Sequence, residues 1–196
     1  DTCGEKRYSL AQTVDIAPTL AEFFHIAPLP CQDGHSLSPV IKEDHPIREA
    51  ALFGIFGGHV NITDGRYVYM RAPISLNNGP IYEYTLMPCH LRKPFASYEL
   101  QNSELVDIFP HMKGYKVLKI PASQEYNSYW FGHQLFDLEE DPYQEHPIRN
   151  EEAECRLISQ MRSLMRKNEA PEEQYKRLGI PQTGEITRDC LMQEEV

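Results

Sequence analysis

The spacing of apolar residues changes along the chain, and each spacing predicts a different kind of element. In residues 15–25 apolar side chains recur every three or four positions, which is the period of an amphipathic helix. Asp15 suits the N-cap of this helix and Pro18 its first turn, where a missing N–H costs nothing. The prolines of residues 28–30 end it, and residues 36–42 follow as a second short helix.

From residue 49 onward the pattern changes to short runs rich in aromatic and β-branched residues, which are typical of strands. Asp64 and Gly65 separate two of these runs and form a strong signal for a tight hairpin turn. Successive strands joined by short turns form a meander, so the sequence predicts a small antiparallel sheet. The predicted strands are residues 51–56, 59–63, 66–71 and 81–86.

The middle of the chain has a weaker pattern. Residues 87–130 lack a clear period apart from a short predicted helix at residues 103–109. The aromatic stretch at residues 124–130 is expected to be a loop. Residues 134–137 predict one more strand, which ends at an acidic turn.

The last third of the chain is predicted to be helical. Asn150 caps a long helix, and Pro171 begins a shorter helix that Gly179 ends. The apolar face of the long helix consists of Cys155, Ile158, Met161, Leu164 and Met165. Helices packed on a small antiparallel sheet make α+β the predicted fold class.

Composition and charge narrow the classes of function. The chain has 196 residues, enough for one domain with its own core, and a formal net charge of -10. It has 29 Asp and Glu against 19 Lys and Arg and no basic stripe, so neither a nucleic acid nor a membrane is an expected partner. The sequence also has no apolar run long enough to span a bilayer.

Five cysteines lie far apart in the sequence: Cys3, Cys31, Cys89, Cys155 and Cys190. They form no CxxC pair and no Cys/His pattern typical of zinc. Scattered thiols in an odd number favour a reducing compartment, so we expect a cytoplasmic protein. Because the first residue is Asp1 and not Met, we also expect the chain to be a piece of a longer protein.

Residues 57–59, Gly-Gly-His, are the best local candidate for function. Two glycines let the backbone turn sharply or approach a ligand closely, and His59 can give or take a proton near neutral pH. The alternative is a β-bulge or a tight hairpin with a histidine at the surface.

The loop of residues 88–94 is the second candidate. It gathers three side chains that can carry positive charge: His90, Arg92 and Lys93. Such a loop suits a sulfate, phosphate or carboxylate group, and the alternative is a solvated surface loop.

Other polar residues have structural explanations. Asp15 is interpreted as a helix cap, and residues 33–35, Asp-Gly-His, as a turn that leads into a helix. The acids of residues 137–141 would hold calcium only if they converged, whereas acids at such turns are commonly exposed. The sequence has no G-x-S-x-G, Walker, H-E-x-x-H or Rossmann pattern. It therefore predicts no catalytic residue and no metal ligand in this chain.

Several short phrases follow one another in a fixed order. They are QTVDIAPTL at residues 12–20, DGHSL at 33–37, DGRYVY at 64–69, and LFDL at 135–138 with DP at 141–142. In this order and separation the phrases resemble the C-terminal portion of a sulfatase, a hydrolase of the alkaline-phosphatase superfamily. The resemblance covers most of residues 9–165.

The resemblance implies that the parent enzyme hydrolyses sulfate esters with a bound calcium ion and a formylglycine made from Cys or Ser. The metal and a basic cluster would stabilise charge on the sulfuryl oxygens. This chain contains no Cys- or Ser-x-Pro-x-Arg motif and no Asp-Asn-Gly or Asp-His-Gly phrase for the metal. We therefore expect a missing N-terminal sulfatase domain to supply the nucleophile and metal ligands, and this chain alone to be inactive.

The same resemblance implies a division of the chain. Residues 1–48 would end the α/β core of the parent, which has an alkaline-phosphatase-like fold. Residues 49–179 would form its C-terminal antiparallel-sheet subdomain with terminal helices, and residues 180–196 would be a tail.

Loops of that subdomain help to shape the substrate pocket in this family. The resemblance therefore makes His59, His90 and Arg92 the expected substrate-binding residues. The expected partners are a small sulfate ester and the N-terminal domain of the parent.

Two alternatives stay open. A phosphonate or phosphate ester hydrolase of the same superfamily would differ in a nucleophile and pocket that this sequence does not contain. A free-standing, non-catalytic module for binding or oligomerisation would fold alone around a closed apolar core. A severed subdomain would instead expose an apolar patch where the missing sheet packed.

Overall fold

The structure of the chain, a computed structural model, describes residues 4–28, 32–87, 89–90, 92–122 and 127–191. In these residues two small antiparallel sheets pack with helices, so the predicted α+β class is confirmed. The helices are α1 (Ile16–Phe23), α2 (Ser38–Glu43), α3 (Ser97–Leu100), α4 (Glu151–Lys167) and α5 (Glu172–Leu178). The strands are β1 (Ala51–Gly54), β2 (Val60–Thr63), β3 (Tyr67–Arg71), β4 (Tyr82–Thr85), β5 (Glu104–Val106), β6 (Val117–Pro121) and β7 (Gln134–Asp137). Short 3-10 turns occur at Thr13–Asp15, Pro110–Met112, Ser128–Phe131 and Arg188–Cys190.

The first sheet has the strand order β1-β2-β3-β7, and every neighbouring pair is antiparallel. Its first three strands form the predicted meander. The carboxylate of Asp64 holds the β2–β3 turn by accepting hydrogen bonds from the N–H groups of Arg66 and Tyr67, at 3.0 and 2.7 Å. Strand β7 coincides with the strand predicted at residues 134–137 and pairs with β3.

The second sheet has the strand order β4-β6-β5. Strand β4 lies where the sequence predicts a strand, but it pairs with β6 and does not continue the meander. The helix predicted at residues 103–109 is wrong, because Glu104–Val106 form β5 and pair with β6, with Leu105 opposite Leu118. Pairing with a neighbouring strand outweighs a local helix signal that spans little more than one turn.

The hydrophobic core lies between the first sheet and the helices α4 and α5. Asn150 caps α4 as predicted, since its side chain accepts a hydrogen bond from the N–H of Ala153 at 3.0 Å. Across from α4, the first sheet contributes three fully buried side chains: Ile62, Tyr69 and Leu135. The buried face of α4 consists of Ala153, Glu154, Leu157, Ile158, Met161 and Met165, while Cys155 and Leu164 are only partly buried.

Asp15 has a different role from the predicted helix cap. Its carboxylate is fully buried, pairs with Arg48, and accepts hydrogen bonds from the N–H groups of Gln12 at 2.7 Å and His35 at 3.0 Å. It makes no capping hydrogen bond to α1, so the helix is confirmed and the capping role is wrong. Burial opposes ionisation, but the hydrogen bonds from Arg48, His35 and Gln12 lower the pKa of Asp15 to about 2.

Much of the expected tail packs against the core. Ile180 and Leu191 are buried. Arg162 of α4 donates a hydrogen bond to the carbonyl oxygen of Gly184 at 2.8 Å and so ties the segment that follows α5 to α4. The end of the expected tail, residues 192–196, lies outside the described residues.

Other predictions also fall partly outside the described residues. They concern Cys3, Cys31, the helix break at residues 29–30, Pro88 and Leu91 of the basic loop, and residues 124–126 of the aromatic loop. The three described cysteines, Cys89, Cys155 and Cys190, are free thiols. Within the described part of the chain, no helix combines the length and the apolar character that crossing a membrane requires.

Candidate functional site

The Gly-Gly-His segment of residues 57–59 lies in the connection between β1 and β2. Gly57 has a φ of 73°, a conformation that favours glycine. His59 is half-buried, and its Nε2 lies 3.0 Å from the carbonyl oxygen of Gly132. Because a carbonyl oxygen only accepts, Nε2 carries the proton and Nδ1 is the acceptor of the neutral ring. Burial and the nearby guanidinium of Arg177 lower the pKa of His59, so the ring is neutral at pH 7.

A buried arginine from α5 fixes the two glycines. Arg177 is 1% exposed and donates to the carbonyl oxygens of Gly57 at 2.7 Å and Gly58 at 2.6 Å. Its Nε donates to Oδ1 of Asn78 at 2.8 Å, and Nδ2 of Asn78 donates to the Gly57 carbonyl at 2.8 Å. A Cβ at Gly58 would lie 2.8 Å from Cγ1 of Ile55, so the turn has no room for a side chain there. These two glycines therefore serve the packing of the turn.

A pocket of about 600 Å³ opens beside His59. Three of its apolar side chains, Phe53, Ile55 and Phe131, are between 46% and 69% exposed. No Lys, Arg, Asp or Glu is among the described residues that line it. The remaining lining residues are Gly54, Gly58, Asn61, Asn127 and Ser128. A pocket of this size and composition suits a small molecule.

Two side chains of the His59 pocket carry oxygens without a hydrogen-bond partner. Oδ1 of Asn61 and Oγ of Ser128 are shielded from solvent and make no hydrogen bond within the described residues. In that part of the chain Oε1 of Gln160, on α4, is the only other such side-chain atom. An unpaired buried polar group costs about 1–3 kcal/mol, so two of them around one pocket need an explanation.

A second pocket, of about 510 Å³, contains His133 and Arg71. Nδ1 of His133 accepts a hydrogen bond from the N–H of Ala72 at 3.1 Å. Burial, and after it the positive charge of Arg71, lowers the pKa of His133 to about 3, so this ring is also neutral at pH 7. Arg71 is 2% exposed, and its Nε donates to the carbonyl oxygen of Leu178 at 2.8 Å. Arg71 therefore joins β3 to the C-terminal segment, while His133 joins the end of β3 to the start of β7.

His90 and Arg92 lie in the connection that follows β4. Nε2 of His90 is 2.6 Å from Oε1 of Glu99, and its ring packs on Phe95 with 4.2 Å between centroids. The side chain of Arg92 is exposed. Within the described residues no hydrogen bond, ion pair or shared pocket joins either residue to His59. Binding roles for the three residues stay predictions.

The acidic residues after β7 are explained by local structure. Asp137 accepts a hydrogen bond from Nη2 of Arg66 at 2.8 Å. Asp141, Glu145 and His146 are the described residues whose spacing suits a metal ion, and two of the three are exposed. The carboxylate of Asp141 already accepts a hydrogen bond from the N–H of His146 at 2.8 Å. This surface group does not match the Asp-Asn-Gly or Asp-His-Gly phrase that the resemblance implies for the calcium site.

Sequence reasoning singled out His59, whose binding role stays a prediction, but it did not indicate the residues that surround it. Arg177 carries no sequence signal, because a charged residue in a short helix is expected to be exposed. Asn61 has no signal for this role, since Asn61-Ile62-Thr63 fits only a glycosylation acceptor pattern, which does not indicate that its side-chain oxygen is buried. Ser128 and His133 lie outside every recognised motif. In comparisons with known proteins, no protein-family model and no curated protein matches this chain.

Proposed function

We propose that this chain is the C-terminal part of a sulfatase-like hydrolase of sulfate esters, in which it forms one wall of the substrate cleft. The observation that carries the proposal is an apolar surface on the N-terminal helix that no described part of the chain covers. A subdomain separated from its main sheet is expected to carry such a surface.

The apolar surface belongs to residues 14–26. Within α1 only Pro18 is buried. The exposed apolar side chains, which are 51–72% exposed, are Val14, Ile16, Leu20, Phe23, Phe24 and Ile26. A helix that is apolar on most of its sides is typical of the interior of a larger protein, where each buried side chain contributes about 1.5–3 kcal/mol. This surface supports a further domain as the partner of α1.

The phrases behind the resemblance also contact one another. Oγ1 of Thr19, in the first phrase, accepts a hydrogen bond from the N–H of Leu37, in the second, at 2.9 Å. A Cβ at Gly34 would lie 2.1 Å from the carbonyl oxygen of Val14, so the second phrase needs its glycine to approach the first. The first two phrases are therefore packed together in the fold, which supports treating them as one unit.

The remaining two phrases meet in the first sheet. Beside the ion pair between Arg66 and Asp137, the N–H of Leu138 donates to the carbonyl oxygen of Arg66 at 2.7 Å. In both contacts one partner comes from the phrase DGRYVY and the other from the phrase LFDL.

We assign calcium and formylglycine to the N-terminal part of the parent, and we assign no chemical step to this chain. In the proposal the His59 pocket holds the part of the substrate beyond the ester, and His90 and Arg92 stay the predicted basic contacts. The free thiols of Cys89, Cys155 and Cys190 accord with the expected cytoplasmic location.

The test uses the full gene product. It should contain a Cys- or Ser-x-Pro-x-Arg motif upstream and hydrolyse 4-nitrophenyl sulfate with a higher kcat/KM than 4-nitrophenyl phosphate or a phenylphosphonate ester. A higher value for the phosphorus esters selects the alternative hydrolase. Absence of the motif together with absence of sulfate release contradicts the proposal.

A His59→Gln variant of the same protein tests the wall of the cleft. Gln keeps a donor for the carbonyl oxygen of Gly132, so the turn should stay intact while the acceptor Nδ1 is lost. We expect KM to rise with kcat nearly unchanged, which is the signature of lost substrate binding. An unchanged KM would show that His59 does not bind substrate in the cleft.

A binding module without catalysis is the second candidate, and the closed core favours it. The sheet and α4 bury a continuous apolar cluster that includes Leu157, Ile158 and Met161, each 0% exposed. Such a core allows this chain to fold alone. A gene product that begins near Asp1, is monomeric and unfolds in one cooperative transition would favour the module.

A further inference from the structure

Two of the free thiols lie near the first turns of α4. Cys155 belongs to α4 itself, and Cys190 ends the 3-10 turn Arg188–Cys190. Both cysteines are partly buried. Leu191, which follows Cys190, is 6% exposed and belongs to the apolar core against which Cys155 packs. The two cysteines therefore border the same core.

An ion pair places the Arg188–Cys190 turn on the face of α4 that carries Cys155. Nη2 of Arg188 lies 3.5 Å from Oε2 of Glu151. Glu151 and Cys155 are four positions apart in the helix, so their side chains are neighbours on one face. The turn that ends at Cys190 thus reaches the part of α4 that holds Cys155.

A buried chain of hydrogen bonds makes a second connection between the same two places. Nη1 of Arg71 donates to the carbonyl oxygen of Cys190 and, at 3.0 Å, to the hydroxyl oxygen of Tyr69. The hydroxyl of Tyr69 donates to Oε1 of Glu154 at 2.9 Å. Glu154 directly precedes Cys155 in α4. Three consecutive hydrogen bonds therefore connect the backbone of Cys190 to the residue beside Cys155.

The electrostatics of Cys155 agree with a close approach of the two thiols. Burial raises the pKa of the Cys155 thiol, and the nearby groups of Glu154, Glu151 and Cys190 raise it further. An interaction between charges weakens with their separation, so Cys190 acts on Cys155 from a short distance. The raised pKa keeps Cys155 in its thiol form at neutral pH, which favours Cys190 as the thiol that reacts first with an oxidant.

We propose that Cys155 and Cys190 form a reversible disulfide that ties the segment of residues 180–191 to α4 when the surroundings become oxidising. In a reducing compartment the pair stays as two thiols. A disulfide holds its two Cα atoms at about 4.4–6.8 Å, and the Arg188–Cys190 turn contains no buried residue that would resist a shift to this distance. The inference concerns the redox state of two side chains and does not depend on the proposed hydrolysis.

The oxidant is a small-molecule disulfide such as glutathione disulfide. The thiolate of Cys190 attacks one sulfur of the oxidant, the sulfur–sulfur bond breaks, and one glutathione leaves as a thiolate that takes up a proton. Cys155 then loses its proton and attacks the sulfur of Cys190 in the mixed disulfide, which releases the second glutathione. Two electrons pass from the two cysteines to the oxidant, and both protons end on glutathione thiols.

The bond has a consequence for the pocket that contains His133. Asp189 and Leu191, on either side of Cys190, line this pocket together with Arg71. Oxidation therefore fixes one wall of the pocket to α4, and reduction releases it.

Peptide mapping of the full gene product tests the proposal without any substrate. One sample is equilibrated with glutathione disulfide and another with dithiothreitol, and free thiols are then blocked with iodoacetamide. Trypsin cuts after Arg149, Arg156 and Arg188, so the two cysteines fall on separate short peptides. We expect oxidation to yield these two peptides joined, with two hydrogens less than their summed mass, and dithiothreitol to separate them.

Thermal unfolding of the same samples measures whether the bond ties the segment down. Oxidation should raise the thermal midpoint of the parent by roughly 5–10 °C, because a disulfide that closes a long loop removes entropy from the unfolded chain. Neither Cys155→Ser nor Cys190→Ser should gain stability on oxidation. The matched control is Cys89→Ser, at a free thiol in the connection that follows β4, and it should behave like the parent.

Recovery of Cys155 and Cys190 only as blocked or glutathione-bound thiols would overturn the proposal. A thermal midpoint that oxidation leaves unchanged, or a disulfide that joins either cysteine only to Cys89, would overturn it as well. The mapping is read on the parent itself, so it stays decisive if a serine variant does not fold. A protein that hydrolyses sulfate esters but forms no such disulfide would fail this inference and leave the proposed function in place.

Discussion

Replacing Arg177 by Met tests how the turn before His59 is held. Met keeps much of the apolar volume of the arginine stem but removes all of its donors. The carbonyl oxygen of Gly58 and Oδ1 of Asn78 then lose the hydrogen bonds that they accept at 2.6 and 2.8 Å. The carbonyl of Gly57 keeps one donor, Nδ2 of Asn78.

The expected magnitude follows from these lost bonds. Two buried acceptors without a partner cost about 1–3 kcal/mol each, which gives a loss of about 2–6 kcal/mol in the free energy of unfolding. Removing a buried charge offsets part of this loss, because its desolvation no longer opposes folding. We therefore expect a net loss of about 3 kcal/mol. The variant Arg177→Lys keeps the charge but not the planar fork, and it should lie between the parent and Arg177→Met.

Urea denaturation measures the effect, and Arg188→Met is the matched control. Arg188 is 87% exposed in its side chain and reaches Glu151 only at 3.5 Å, so its replacement should change stability by less than about 0.5 kcal/mol. In Arg177→Met the pKa of His59 should also rise, since the positive charge that lowers it is gone. A loss of unfolding free energy below about 1 kcal/mol, or one equal to that of Arg188→Met, would refute the idea that Arg177 holds the Gly57–Gly58 turn.

Further predictions concern the packing and titration of other residues. Gly34→Ala should cost about 3 kcal/mol in urea denaturation, because its Cβ would lie 2.1 Å from the Val14 carbonyl oxygen, and an unchanged stability contradicts that contact. The pKa of His133 falls from 6.5 to about 3 on folding, so the unfolded chain binds a proton that the folded chain does not. Stability should drop by about 1.4 kcal/mol per pH unit as pH falls from about 6 to about 3, and His133→Asn should flatten that slope in urea titrations at several pH values. Asp15 acts in the same direction over a more acidic range: its lowered pKa contributes stability above about pH 4 that is lost toward pH 2, so Asp15→Asn should differ from the parent at pH 7 and approach it in acid, by circular dichroism. Phe23→Ser, at a side chain that is 72% exposed, should leave stability within about 0.5 kcal/mol and reduce self-association in sedimentation.

Local causes explain which elements the sequence predicts well. The hairpin at Asp64 and the cap at Asn150 depend on side chains that bond to the backbone two or three residues away, so they can be recognised from the sequence. Strand β5 depends on β6, and β6 on both of its neighbours. Their pairing partners lie outside any local window, which is why residues 103–109 misled the helix prediction.

The candidate site likewise contains one residue that a local pattern indicates and several that become informative only in the folded structure. His59 could be found because two glycines precede it, and the structure places it at the pocket. Arg177 acts on Gly57 across 120 positions of sequence, and no pattern in α5 distinguishes a buried arginine from a solvated one. Asn61 and Ser128 become informative only when the fold shields their oxygens. The sequence predicts a helix cap at Asp15, and that role is wrong because Arg48, 33 residues later, pairs with its carboxylate.

Arg71 depends on hydrogen-bond partners that the ribosome makes long after Arg71 itself. Its hydrogen bonds reach the carbonyl oxygens of Leu178, 107 residues later, and Cys190, 119 residues later. At about 5–20 residues per second, a ribosome needs roughly 5–24 s to make that stretch after it has added Arg71. During this interval the guanidinium has none of these backbone partners, and β3 cannot bury it. The burial of the Arg71 guanidinium is therefore completed only after residues 178–190 have been made, long after β3 itself.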